Sequence, residues 1–198
     1  MAKIRIYLAG PEVFLINAKE IGEQKKVLCR KYGFEGVFPL DTVVEVAGKS
    51  PREVGFCISE VNESLIRSCM FLVANITPFR GPSADVGTAF EIGFAHGLGK
   101  KVFAYTNVAL DFTERTVNAL NGKVERSLDG KLRDAQGMFI EEVGLTDNLM
   151  VDGCINLSSK FLVVEEAPVG QLFTYLGGFE KCLAAARKIV DGCPKQER

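Results

Sequence analysis

The chain lacks most of the residues that mark common catalytic devices. It has one histidine in 198 residues, His96, in the run Ala95-His96-Gly97-Leu98. That run belongs to an apolar helical pattern, so His96 reads as a packed or surface side chain, and Ser-His-Asp, Cys-His and His-metal chemistries lose their central residue. Its six cysteines, Cys29, Cys57, Cys69, Cys154, Cys182 and Cys193, form no C-x-x-C pair and show no spacing of a zinc site or disulfide framework. A reducing cytosol is the expected setting. No apolar run reaches membrane length, and Met1-Ala2-Lys3-Ile4-Arg5-Ile6-Tyr7 carries charges where a signal peptide needs its apolar core. No membrane partner is expected, and the sequon Asn75-Ile76-Thr77 is incidental. Net charge is −1, with no basic stripe interleaved with aromatics, so a nucleic acid has no electrostatic footprint here. A small, largely uncharged substrate fits better.

What is present is an ordinary globular composition, 47% hydrophobic and 25% charged, at a length suited to one domain. A chain of this size buries roughly 70% of its unfolded surface and needs no metal or disulfide to hold a core. Residues 3–9 alternate and then turn apolar before Gly10-Pro11, which predicts a first strand and a tight turn. Helical spacing runs from about Asn17 to Tyr32 with Gly33 as a stop, Val37 to Leu40 is a short extended piece, and Ser50-Pro51 opens a second helix through Ile66. Met70 to Ile76 is nearly all apolar, as a strand covered on both faces is. A loop from Thr77 to Ala84, a helix from about Val86 to Leu98 and a strand from Lys101 to Thr106 follow. Residues 107–144 show little periodicity and read as an irregular insertion within a single domain spanning 1–198. Phe161 to Val164 is a last strand and Gln171 to Val190 a last helix, weakened in its middle by Gly177-Gly178. This alternation predicts a doubly wound α/β sandwich whose site lies beyond the carboxyl ends of the strands, at the loops beginning with Gly10 and Thr77.

The chemistry concentrates in Asp85-Val86-Gly87-Thr88-Ala89-Phe90-Glu91-Ile92-Gly93. Ala89, Phe90, Ile92, Gly93, Phe94 and Ala95 leave no solvent stripe around Glu91, and a helix apolar all round is expected to be buried. A carboxylate there either pairs for structure or does chemistry; its place near the helix start, beyond a strand's carboxyl end, favours chemistry. Asp85 directly precedes the helix, where Asp is a favoured cap. Six residues rotate an ideal helix by about 600°, so Asp85 can meet the same substrate as Glu91 only from the non-helical loop. Two carboxylates at one anomeric carbon divide the work: one attacks, and the other, protonated, delivers a proton to the leaving group.

Tyr7-Leu8-Ala9-Gly10-Pro11, the strand Phe71-Leu72-Val73-Ala74-Asn75, the Asp85 to Gly93 run and Asn148-Leu149-Met150 together resemble the ordered motifs of nucleoside 2-deoxyribosyltransferases. The resemblance covers roughly residues 3–106 and a short stretch near 148. It implies a flavodoxin-like domain with a mostly parallel sheet, and transfer of a 2-deoxyribosyl group from a deoxynucleoside to a free nucleobase through a covalent deoxyribosyl-glutamate. By position, Glu91 is the nucleophile, Tyr7 the hydroxyl that orients it, and Asp85 the group that protonates or hydrogen-bonds the departing base. Gly10, Phe14 and Met150 line the pocket, and Asn148 reaches the sugar hydroxyls from a neighbouring subunit, which implies a homo-oligomer. The pattern departs at Asn62, flanked by Glu60 and Glu63, where well-known bacterial members carry an aspartate; an amide contacts a base edge but cannot lend a proton as an acid. No metal or organic cofactor is required.

Two rivals remain. A hydrolytic N-glycosidase on the same scaffold would use water in place of the second base. Relatives acting on 5′-monophosphates hold phosphate with a glycine- and arginine-rich first loop, whereas Gly10-Pro11-Glu12-Val13-Phe14 has an acidic residue and no arginine, which favours the free nucleoside. A non-catalytic nucleoside-binding module would have no use for a carboxylate in an apolar helix, and neither G-x-G-x-x-G nor G-x-x-x-x-G-K-[ST] occurs.

Overall fold

A computed structural model describes residues 3–192 of the chain, so that 1–2 and 193–198, Cys193 among them, lie outside the described residues. Strands β1 (Ile4–Ala9), β2 (Phe34–Val37), β3 (Phe71–Asn75), β4 (Lys101–Thr106) and β7 (Leu162–Val164) form a five-stranded sheet in the order β2-β1-β3-β4-β7. Every pairing in it is parallel. β3 is buried along its whole length, which explains its unbroken apolar sequence.

Alternation along the strands sorts the core into two layers. Tyr7, Ala9, Leu72, Ala74, Val102 and Ala104 join Ile66 of α2 (Pro51–Ser68), Ile92 and Ala95 of α3 (Val86–Gly97), and Val151 and Ile155 of α5 (Leu149–Ser158). Ile6, Leu8, Phe71, Val73, Phe103 and Tyr105 pack with Cys29 of α1 (Ala18–Lys31) and with Phe179, Cys182 and Leu183 of α6 (Gly177–Gly192). The chain leaving β1 therefore turns to one face and the chain leaving β3 to the other. These neighbouring strands diverge at the switch point where a doubly wound sheet opens a crevice.

Several local expectations are revised. The second strand is Phe34–Val37, and the Phe38-Pro39-Leu40 stretch breaks into a single 3-10 turn, Pro39–Asp41. The last helix begins at Gly177 instead of carrying its glycines in the middle; a Cβ on Gly178 would come within 2.8 Å of the Tyr105 Cβ, so the helix approaches the sheet only because that side chain is absent. The segment 107–144 contains α4 (Phe112–Ala119), capped by Asp111, and an antiparallel hairpin of β5 (Val124–Arg126) and β6 (Leu132–Asp134). Helix α3 is not buried all round: Val86 is 84% and Phe90 56% exposed, and Gly93 and Gly97 lie on the surface, so an apolar stripe faces solvent in the single chain. The described cysteines Cys29, Cys57, Cys69, Cys154 and Cys182 are unpaired. Asn75 is fully buried, with its amide spent on Glu12 and Thr77. Among the described residues no helix is long and apolar enough to cross a membrane.

Candidate active site

Tyr7 is the fourth residue of β1 and points into the layer that holds α3. Its phenol donates to Glu91 Oε1 across 2.6 Å. Burial, together with the adjacent carboxylate, pushes the Tyr7 phenol far above its usual range, so it stays protonated and acts as a donor. Glu91 shares the inner side of α3 with buried Thr88 and Ile92, and it is half-buried at the floor of a cleft of about 310 Å³. Burial pushes its carboxyl up to about 7; the Tyr7 hydrogen bond acts in the opposite direction, and the charge of Asp85 adds to the rise. The carboxyl that the sequence marks as nucleophile thus titrates near neutrality.

Asp85 occupies the N-cap of α3 with non-helical backbone angles (φ −56°, ψ 134°). Oδ2 accepts from the Thr88 amide at 3.0 Å and from its hydroxyl at 3.3 Å, and no protein donor among the described residues engages Oδ1. The capping role and the site position are both realised: one oxygen holds the helix end, and the residue lines the same cleft as Glu91.

The cleft is also lined by Gly10, Phe14 and Asn62, three of the residues singled out as substrate contacts. Gly10 sits at φ +154°, and a Cβ there would meet the Glu12 carboxylate at 2.0 Å, so the turn after β1 has room only for glycine. Phe14 is half-exposed and stacks on Phe79 of the loop after β3, with ring centroids 5.1 Å apart, tying the two loops together across the crevice. Asn62 and Ile58 lie one helical turn apart on α2 and face the cleft; Glu60 and Glu63 are not part of its lining. Pro39 and Leu40, at the carboxyl end of β2, together with Val13, Gly87 and Thr88, complete it. Sequence reasoning missed the Pro39-Leu40 wall, although its place just beyond a parallel strand could have signalled it.

Asn148 and Met150 do not line this cleft. Asn148 caps α5, accepting from the Met150 amide at 3.0 Å and donating to Glu141 at 3.1 Å, while Met150 is 66% exposed. His96 lies in the last turn of α3, at the opposite end from Asp85.

Glu12 corrects the sequence reading of the first loop. Its carboxylate does not face the cleft as an anion-repelling group; it is fully buried, where Oε1 accepts from Lys25, from Asn75 at 3.0 Å and from the Tyr105 hydroxyl at 2.9 Å. A cationic side chain does stand beside cleft-lining Phe14: Arg80, at φ 56°, whose guanidinium lies 5.1 Å from the Phe14 ring centroid and 4.6 Å from that of Phe79. Arg80 makes no salt bridge or side-chain hydrogen bond among the described residues.

The family model described as nucleoside 2-deoxyribosyltransferase matches residues 6–150, which include every cleft residue. The chain belongs to the nucleoside 2-deoxyribosyltransferase family. Membership makes it an enzyme acting on nucleosides. An uncharacterised protein of Schizosaccharomyces pombe is 30% identical over 170 residues, with 81% of each chain covered. The structure of a 2-desoxiribosyltransferase from Leishmania mexicana aligns with a TM-score of 0.61 at 24% identity, covering 93% of this chain and 97% of that one. A conserved protein from Enterococcus faecalis aligns with a TM-score of 0.53 at 19% identity, covering 93% of this chain and 99% of that one. Both share the fold of this deoxyribosyltransferase-family chain, a parallel sheet flanked by helices.

Proposed function

We propose that this enzyme transfers the 2-deoxyribosyl group of a deoxynucleoside to a free nucleobase by double displacement. The observation that carries this reading is the Tyr7 hydroxyl held 2.6 Å from Glu91 Oε1 at the floor of a cleft that also contains Asp85. Glu91, once ionised, attacks the anomeric carbon; the glycosidic bond breaks, and the covalent deoxyribosyl-glutamate retains the sugar. Tyr7 fixes which carboxylate oxygen is free to attack. Asp85 protonates the departing base, which otherwise leaves as a poor anionic leaving group, and then accepts the proton of the incoming base. Phe14 offers an aromatic face to the base and Asn62 an amide to its edge.

The exposed stripe of Val86 and Phe90 on α3 adjoins α5, where Leu149 and Met150 are also exposed. Such a patch suits a second copy of the chain, and a homo-oligomer would carry Asn148 and Met150 to a neighbouring cleft. One observation favours a second reading, hydrolysis of a deoxynucleoside 5′-monophosphate: the Arg80 guanidinium stacked beside cleft-lining Phe14 could meet a phosphate.

The test incubates the protein with deoxyadenosine, deoxyinosine, thymidine or their 5′-monophosphates, with and without a free acceptor base, and resolves the products. A new deoxynucleoside is the expected product. Free deoxyribose from the nucleosides, or deoxyribose 5-phosphate from the monophosphates, with no transfer product when acceptor base is present, would replace the transferase reading by the hydrolytic one.

A further inference from the structure

The loop that delivers Asp85 runs from Thr77 to Ala84 and contains Gly81-Pro82, yet its last residues are held firmly. They are held from outside, by Asp147. This carboxylate is fully buried; Oδ2 accepts from the Ala84 amide at 2.9 Å, and Oδ1 accepts from the Ser83 hydroxyl. Ala84 is the residue immediately before Asp85. The same Oδ1 accepts from the Asn148 amide at 2.8 Å, at the start of α5.

Asp147 is in turn fixed by its neighbours. Arg115 of α4 is nearly buried and places Nη2 3.4 Å from Asp147 Oδ2 while donating to the Thr146 carbonyl. Asp152 accepts from the Thr146 amide at 2.8 Å and from the Asp147 amide at 3.1 Å. The Ser83 hydroxyl, the Ala84 and Asn148 amides and the Arg115 guanidinium converge on this one buried carboxyl and fix its orientation, and hydrogen bonds to a charged partner are stronger tethers for a loop than neutral ones. The segment 107–144 thereby reaches the cleft indirectly, since α4 supplies the cation that balances Asp147.

We infer that Asp147, supported by Arg115, is a positioning residue that sets the place of Asp85 over the departing base. The inference rests on the reading of Asp85 as the proton donor. It does not depend on whether water or a base takes the sugar, because both routes begin with departure of the first base. Neither Asp147 nor Arg115 lines the cleft, so neither is expected to touch substrate.

The test is Asp147→Asn, whose amide must turn an N–H toward at least one of the donors that the carboxylate satisfies. Base release is followed from deoxyinosine and from 7-methyl-2′-deoxyguanosine, whose base departs neutral and needs no protonation. The expected result is a fall in kcat of roughly 100-fold on deoxyinosine, the scale of a misplacement near 1 Å, with KM moved far less. The loss on the methylated substrate should be smaller by tenfold or more, in the same sense as for Asp85→Asn. Ser83→Ala, which keeps the Asp147 charge and its Arg115 partner, should show a weaker version of that selectivity and serves if Asp147→Asn folds poorly. Equal loss on both substrates, or wild-type rates on both, overturns the proposal. Amide hydrogen exchange gives a readout free of activity: Ala84 and Asp85 should exchange faster in Asp147→Asn while β3 stays protected, and unchanged exchange also overturns it. A wild-type protein that released no base would instead count against the proposed function, and the exchange result would still judge the tether.

Discussion

At the scale of single residues, the cleft spends stability on reactivity. Burial raises the Glu91 carboxyl from 4.5 to about 7, so between those values the folded protein holds a proton that the unfolded chain has released. Stability contributed by this group is therefore present at low pH and declines as pH rises through 7. Glu91→Gln, which mimics the protonated form, should stabilise the fold by about 1–3 kcal/mol at pH 8 and have little effect at pH 4, as read by denaturant unfolding. Glu91→Ala should fold and lose base exchange by several orders of magnitude. The same titration sets one limb of the catalytic profile, since attack needs the carboxylate: the rising limb of kcat/KM should have its midpoint near 7. Tyr7→Phe removes the bond that pulls this value down, so its profile should shift to higher pH and its rate fall about 10–100-fold; an unshifted midpoint would contradict the role given to Tyr7.

At the scale of elements, the crevice depends on the turn after β1 being anchored from below. Glu12 and Lys25 form a fully buried ion pair linking the 3-10 turn Pro11–Phe14 to α1, with Asn75 and Tyr105 completing the site from β3 and β4. Removing one member leaves the other charge uncompensated, so Lys25→Met should cost about 3–5 kcal/mol, measured by chemical denaturation. Ser50 and Glu53 form a capping box at the start of α2, away from the cleft floor. Ser50→Ala should cost about 1 kcal/mol and leave base release unchanged, because the cap sets the helix end and not the Ile58–Asn62 face.

At the scale of the whole molecule, the single chain holds only part of the expected sugar site. Glu91, Asp85, Tyr7, Gly10, Phe14 and Asn62 gather at one crevice, but Asn148 and Met150 lie at the start of α5, outside it. If a neighbour supplies them, mixing Glu91→Ala with Asn148→Ala should restore activity that neither variant has alone, since some mixed assemblies regain one intact site. Phe90→Glu, placed on the exposed α3 stripe, should lower the mass seen by sedimentation and reduce activity with it. Activity retained by a monomeric Phe90→Glu protein would show the site complete within one chain.

The sequence by itself determined the strands of the parallel sheet, the second of them displaced toward Leu40, and the doubly wound alternation, while the β5–β6 hairpin stayed hidden in a segment without periodicity. β3 is legible as an apolar run because a strand covered on both faces has no polar side to show, and Glu91 stands out because a carboxylate in apolar surroundings is costly unless used. Asp85 and Glu91 were marked by their place at a helix start beyond a strand, whereas Tyr7 by local pattern is only a strand aromatic and was singled out through the family resemblance; the structure places its hydroxyl on Glu91. Only the tertiary structure decided what depends on contacts between distant segments. It turned Glu12 inward onto Lys25, closed the cleft with Pro39 and Leu40, opened the α3 stripe to solvent and bound the loop before Asp85 to Asp147. The partners of those charges lie 13 and 63 residues away along the chain. Hydrophobic periodicity reports which face of an element is covered, whereas a buried charge is placed by the donors that converge on it after the elements have packed.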